Sequence, residues 1–456
     1  MRKSGKPSNA PKKLKDGCYM SISITNTSRS VRIMRETFEQ MKLKLTAIIL
    51  LSLILNEGKA QSRYNLIYEP QLGQNFAAEN LNAGFHLLDY VDLLAVEKRI
   101  IKTENTFAKV INPIFRFSKL FLNTYLITDY MMTMNHERYG HGYRMLEAGG
   151  YINEIVYNPP PPFSNEFSYI SYVQPPWFTD QQRIMTLLGG SETNLVFSDV
   201  MRKNILLDER FNYNFSLAYL YGSNDMPGYT AFVSNPFGDP KRYLEKINNL
   251  YGPVLTGEKM RTYSLIAMLT DPLNFYAFKS TFYDYIIKGR HSSRIGMIKL
   301  NNKLKYLPRY RFEYTPYGPE LVYQNYFKLN SKLMLFSFSH SDPNLPNSWR
   351  VKVNIWNLQL SDNLSCNLSG QMWNQPNIEF FHHDGLISSE PYFITSEGFG
   401  GQFVSTINYD VNINKNFIGY ALQLGYKSTG YAIGEQLNKG LIIRGGLTFK
   451  LSNDIN

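Results

Sequence analysis

The sequence predicts an α+β protein, a mainly helical N-terminal part followed by an antiparallel β region that forms a small barrel or a sandwich. Residues 61–290 alternate apolar stretches of helical period with Pro-rich loops, and from about residue 294 the pattern changes to short segments of alternating polarity separated by Asn, Asp, Gly, Ser and Pro. Aromatic residues are abundant, with 33 Tyr and 29 Phe in 456 residues, a load that suits wide sheets and membrane-interface girdles. Hydrophobic residues at 43% against charged ones at 19% supply material for large cores and exclude wholesale disorder. Two cysteines exclude a disulfide scaffold and a four-cysteine zinc module.

Residues 1–40 are polar and basic without apolar periodicity, and read as a disordered leader or a start placed too early. Residues 41–60 have the form of a secretory signal peptide: a basic Met41-Lys42-Leu43-Lys44, an apolar run from Leu45 to Leu55, and small residues ending at Ala60. The run is too short for a spanning helix, which needs about 20 apolar residues. Export to a cell envelope, the periplasm or an outer membrane, is the implied destination.

In residues 61–290 the longest expected helix runs from Ile114 to Leu146, bounded by Pro113 and stopped at Gly149-Gly150. The four prolines of Asn158–Ser164 require an extended surface or groove-lining segment. A second long helix starts at Thr179-Asp180 and continues to Leu207. It carries an internal Gly189-Gly190 pair, which costs about 1 kcal/mol per glycine relative to alanine and so asks for a packing reason. Later apolar segments break at Asp271-Pro272.

Residues 291–456 hold about eight strands, centred on Tyr310, Tyr323, Leu335, Val353, Leu368, Val404, Leu422 and Ile443, and eight is the smallest number that closes an outer-membrane barrel. In such a barrel the polar faces, for example Ser365, Asn367, Ser369 and Gln371, point into the lumen and the apolar faces meet lipid. A soluble sandwich over the helical part has the same alternation.

The strongest chemical signal is Asn135-His136-Glu137-Arg138-Tyr139-Gly140-His141-Gly142. Two imidazoles offer neutral nitrogen ligands to a divalent metal, and the carboxylate between them can take a proton from a metal-activated water. In the common H-E-x-x-H arrangement the histidines are four apart and share a helix face. Here they are five apart, about 140° around an ideal helix. A single-turn bulge absorbs such an insertion, and Gly140 stands where the backbone must give.

His136, Glu137, Gly140 and His141 form H-E-x-x-G-H, which resembles the zinc signature of the dipeptidyl peptidase III family of metallopeptidases. The resemblance implies zinc held by His136 and His141, Glu137 as the general base, and a later helical glutamate as third ligand, matched loosely here by Glu192. It covers six residues and that glutamate; the export signal and the strand-rich half are foreign to the family.

The leading expectation is therefore an exported zinc-dependent hydrolase, a metallopeptidase acting on a peptide or another amide and associated with the membrane. The alternative is a non-enzymatic outer-membrane protein whose helical part plugs or caps the β region, its His/Glu cluster structural. The formal charge of +11 suggests nucleic acid, but residues 1–60 hold 12 Lys and Arg against 4 Asp and Glu, leaving +3 on the rest. No nucleic-acid partner is expected.

Overall fold

The computed structural model describes residues 62–95, 106–232, 238–382, 391–411 and 417–451. The leader (1–40) and signal peptide (41–60) lie outside these residues. β1 (Tyr64–Tyr68) leads into α1 (Gln74–Ala95). α2 (Thr106–Lys119), a first π turn (Leu120–Thr124), α3 (Tyr125–Met134), a second π turn (Asn135–His141) and α4 (Gly142–Glu147) then follow without a break. The long helix thus begins before Pro113, not after it, because an internal proline forfeits a backbone hydrogen bond without forbidding helix on its N-terminal side. It stops where expected: Gly149 takes φ 80°, and the Gly149 and Gly150 amides return to the carbonyls of Leu146 and Met145.

The hairpin of β2 (Tyr151–Val156) and β3 (Tyr169–Val173) carries the proline segment between its strands. α5 (Asp180–Asp208) starts at a capping box, in which Thr179 accepts from the Gln182 amide and the Gln182 side chain reaches back to Thr179. β4 (Arg210–Asn212), α6 (Tyr213–Phe232), α7 (Asp239–Tyr251), α8 (Gly257–Thr270), α9 (Pro272–Phe278) and a third π segment (Lys279–Ile287) complete the helical part. The expected break at Asp271-Pro272 separates α8 from α9, with the Asp271 carboxylate capping the Leu273 amide.

The strands that follow are β5 (Ser292–Arg294), β6 (Ile298–Lys299), β7 (Leu304–Thr315), β8 (Gly318–Leu329), β9 (Lys332–Ser341), β10 (Trp349–Gln359), β11 (Leu364–Asn374), β12 (Glu379–His382), β13 (Tyr392–Thr395), β14 (Phe399–Asp410), β15 (Phe417–Lys427) and β16 (Gly440–Lys450). All eight expected strands are present in one antiparallel sheet. Its order among the described residues is β1-β16-β15-β14-β11-β10-β9-β8-β7-β6. Two strands that the alternation did not flag, β1 and β6, form its edges; they are only five and two residues long. The sheet is ten-stranded and open, and no pairing of β1 with β6 closes it into a barrel.

Residue 291 marks a change of secondary structure but not of compact unit, since all described residues fall in one unit. α5 explains why. It is buried along nearly its whole length, with Met201, Ile205 and Leu206 packed among Phe85 of α1, Tyr219 of α6 and Leu307, Leu333 and Leu335 of the sheet. The polar strand faces turn toward it. Arg309 and Arg311 of β7 both reach Asp199, at 3.1 and 2.7 Å, and Lys328 of β8 donates to the carbonyls of Leu206 and Leu207 at the end of α5.

Asp271 sits at the centre of this polar interior. It is 1% exposed, pairs with Arg202 of α5, lies 3.0 Å from Arg309 of β7 and accepts from Tyr219 of α6 at 2.9 Å. Removing one partner of a buried ion pair costs about 3–5 kcal/mol, because the remaining charge stays buried. Asp271→Asn should lower stability by that order in a denaturant titration; an unchanged midpoint would show that the cluster does not hold the elements together.

Candidate metal centre

The five-residue spacing of the histidines is absorbed as the sequence predicts. Asn135–His141 forms a π turn, and the Gly142 amide bonds to the carbonyl of Glu137, five residues back. The extra residue swings His141 round to the side of His136, so that their Nε2 atoms stand 3.1 Å apart.

This turn lies directly on the backbone of α5. A Cβ on Gly140 would meet the Gly189 carbonyl oxygen and the Gly190 Cα at 2.5 Å, and one on Gly190 would meet His136 Nε2 at 2.3 Å. The helix-interior glycines therefore have the packing reason that their cost demands. The contact also brings the Thr186 carbonyl within 2.5 Å of His141 Nδ1.

Both imidazole tautomers follow from these partners. Thr186 offers only an acceptor, so His141 Nδ1 donates to it; His136 Nδ1 likewise donates to the Asp225 carboxylate of α6 at 3.0 Å. Asn194 of α5 donates to the same Asp225 oxygen at 3.0 Å and bonds Asn135 at 2.8 Å, which fixes the carboxylate in turn. Each neutral ring is left with a bare Nε2 lone pair, and the two lone pairs face each other.

The third atom at this point is an oxygen of Asp239, the first residue of α7. It lies 3.2 Å from His141 Nε2 and 3.8 Å from His136 Nε2. Two imidazoles and a carboxylate at bond lengths of about 2.0–2.2 Å around a tetrahedral zinc stand about 3.3 Å apart. The observed separations fit that donor set, and His136, His141 and Asp239 form a group able to hold a metal ion.

Without an ion the convergence of lone pairs favours protons. Burial opposes charging His136, but the Asp225 carboxylate outweighs it and carries the imidazole well above its ordinary value. Burial likewise opposes charging His141, and Asp239 overcomes it. Asp225 and Asp239, both partly buried, are held below the usual carboxylate range by the imidazoles they face.

Glu137 is buried beside the pair and lines a cleft of about 450 Å³ with His136, His141 and Asp239. The proline segment Pro159–Pro161 forms part of the cleft wall, which is the groove-lining role its composition suggested. Tyr172, Tyr229 and Arg242 supply hydroxyl and guanidinium donors on other walls.

Glu192, expected as the third ligand, is placed elsewhere. Both its oxygens are held by Arg144 of α4, at 2.5 and 3.0 Å, and it also accepts from Gln74 at 3.2 Å and the Gly434 amide at 2.9 Å. The reason is helical geometry: His136 rests on Gly190, and a residue two positions on points about 200° away. Asp225 and Asp239 carry no motif that marks them. The one local signal at Asp239 is the Gly238-Asp239-Pro240 helix start, where an acidic residue is ordinarily a partner of the helix dipole.

Searches against protein-family models, curated proteins and solved structures return no match. The likeness to dipeptidyl peptidase III therefore stands on the H-E-x-x-G-H residues alone.

Two substitutions separate the carboxylates. Asp239→Asn should weaken zinc binding by about 100-fold or more. Glu192→Gln should keep the zinc and instead cost about 3 kcal/mol of stability, by leaving Arg144 short of its partner. Competition titration with a chelator and denaturant unfolding read the two effects, and zinc loss in Glu192→Gln with zinc retention in Asp239→Asn would reverse the assignment. Gly190→Ala, whose methyl would displace the His136 ring, should abolish zinc binding in the same titration.

Proposed function

We propose that this chain is a zinc-dependent hydrolase of the cell envelope that cleaves an amide, most naturally a peptide bond. The observation that carries the reading is the convergence of the two imidazole lone pairs and the Asp239 oxygen beside Glu137, inside an open cleft. Zinc suits two nitrogens and one oxygen with a fourth position left for water, and once bound it supplies Lewis acidity toward water and toward a carbonyl oxygen.

The residues of the chain divide the remaining work. Asp225 and the Thr186 carbonyl hold both imidazoles in the tautomer that presents Nε2 to the ion. Glu137 accepts a proton from the attacking water and returns it to the departing amine nitrogen, so that the C–N bond breaks without expelling an amide anion. Tyr172, Tyr229 or Arg242 donates to the carbonyl oxygen as negative charge develops there. The proline segment and β3 give the cleft an extended wall suited to an extended substrate. The signal-peptide form of residues 41–60 supports the envelope assignment through export.

A second reading follows from the placement of α5. A buried helix packed on the polar face of a sheet also describes a non-enzymatic outer-membrane protein with a helical plug and a structural His/Asp cluster. Glu137→Gln decides between them. It should retain stoichiometric zinc and lower peptidase or amidase turnover by about 10²- to 10⁴-fold. Equal turnover of the variant and the wild type against a peptide library would leave the structural reading standing, and purified protein without stoichiometric zinc would overturn the zinc-hydrolase reading.

A further inference from the structure

The ten-stranded sheet has the polarity of a water-soluble sheet turned inside out. Along β14–β16 the inner face buries Asn408, Gln423, Lys427, Arg444 and Thr448, whereas the outer face exposes Tyr420, Leu422, Leu424, Tyr426, Leu441 and Ile443. A sheet covering a core in water does the opposite.

The outer face is also banded. Tyr409 pairs with Tyr420 near one end and Phe403 with Tyr426 nearer the other, with Ile407 opposite Leu422 between them. Phe399 to Tyr409 on β14 spans ten steps of about 3.3 Å, about 33 Å along the strand. At the usual barrel tilt this is about 25 Å, the height of an apolar band flanked by aromatic girdles.

An open sheet in hydrocarbon would leave unpaired backbone groups at its edges, at a cost of several kcal/mol each in general. The β1 edge is answered by side chains. Asn80 of α1 accepts from the Ile67 amide and donates to the Ile67 carbonyl, both at 2.9 Å, as a neighbouring strand would, and Asn204 of α5 donates to the Arg63 carbonyl at 3.3 Å.

Helices then cross from one edge toward the other. α1 lies on β1 through Asn80, α2 joins α1 through Lys119 and Asp92 at 2.5 Å, α2 joins the third π segment through Arg116 and the Ile286 carbonyl at 3.3 Å, and Tyr276 of α9 abuts Gly296 beside β6. Their outer surfaces continue the apolar face, with Val91, Ile114, Phe117, Phe275 and Phe278 each about half exposed or more. Among the described residues no helix is long and apolar enough to cross a membrane, so the strands set the height of the band.

We propose that the hydrocarbon of a lipid bilayer covers this band, and that α1, α2 and α9 complete around the gap what strand pairing does not: a belt part strand and part helix, with Asn80 pairing the Ile67 backbone on the β1 edge. A second copy of the chain is a poorer occupant, because one two-fold contact covers one patch and the apolar surface runs across both the sheet and the helices. The inference does not rest on the metal, and its test reads neither zinc nor hydrolysis.

The full-length chain is refolded with vesicles of phosphatidylethanolamine and phosphatidylglycerol, with and without bromine on the acyl chains, and floated after a carbonate wash. The protein should float with the vesicles. Tryptophan placed at outer-face positions (Leu422→Trp, Leu424→Trp) should be quenched at least threefold more by brominated lipid than tryptophan placed at the inner-face Gln423 (Gln423→Trp). A chain that stays in the aqueous fraction as a monomer or a dimer, or quenching that does not alternate between 422, 423 and 424, overturns the proposal.

Discussion

The contact on which the site depends is between two backbones. At Gly140 the π turn meets Gly189 and Gly190 with no room for a methyl group, and nothing else about the site works if that distance grows. The turn rotates His141 toward His136, the contact seats His136 on Gly190, and the same approach delivers the Thr186 carbonyl to His141. Three glycines, each a conformational cost in a helix, are repaid by the placement of two imidazoles.

The polarity of the sheet sets a second constraint. Buried Arg and Lys residues on its inner face need carboxylates and carbonyls, and α5 supplies them through Asp199 and the Leu206 and Leu207 carbonyls. The helix that forms the floor of the histidine cluster is thus also the polar axis of the sheet. This joint role explains why two regions of different secondary structure make one compact unit.

Much of this was legible in the sequence, and for identifiable reasons. Side-chain alternation has period two, so all eight long strands could be located, whereas β1 and β6 were too short to show alternation. The angle between His136 and His141 is fixed by helix geometry, which made the π turn and the role of Gly140 foreseeable. Gly189-Gly190 announced a close approach but not its partner. Asp239 was invisible because it reaches the histidines through the fold, about a hundred residues along the chain, and an acidic residue at a helix start has an ordinary explanation. Glu192 lies with Arg144 and away from the histidines for the converse reason: proximity to the glycines in sequence says nothing of the side of α5 to which it points. Closure of the sheet was equally illegible, since it turns on whether β1 meets β6 or meets α1.

Arg144 ties the site to the far end of the chain. Its guanidinium holds Glu192 of α5 and Glu147 of its own helix, and donates to the Glu435 carbonyl in the loop before β16; the Gly434 amide returns to Glu192. Loosening the π turn therefore means loosening the final hairpin of the sheet as well. Regions that share their buried bonds in this way open together, as one cooperative unit, and the cost of exposing either is the cost of exposing both. The histidines are thereby shielded from the local fraying that commonly loosens helix ends. Amide protons in residues 135–147 and in β16 are expected to exchange through one common opening event, with the free energy of the whole unit behind it.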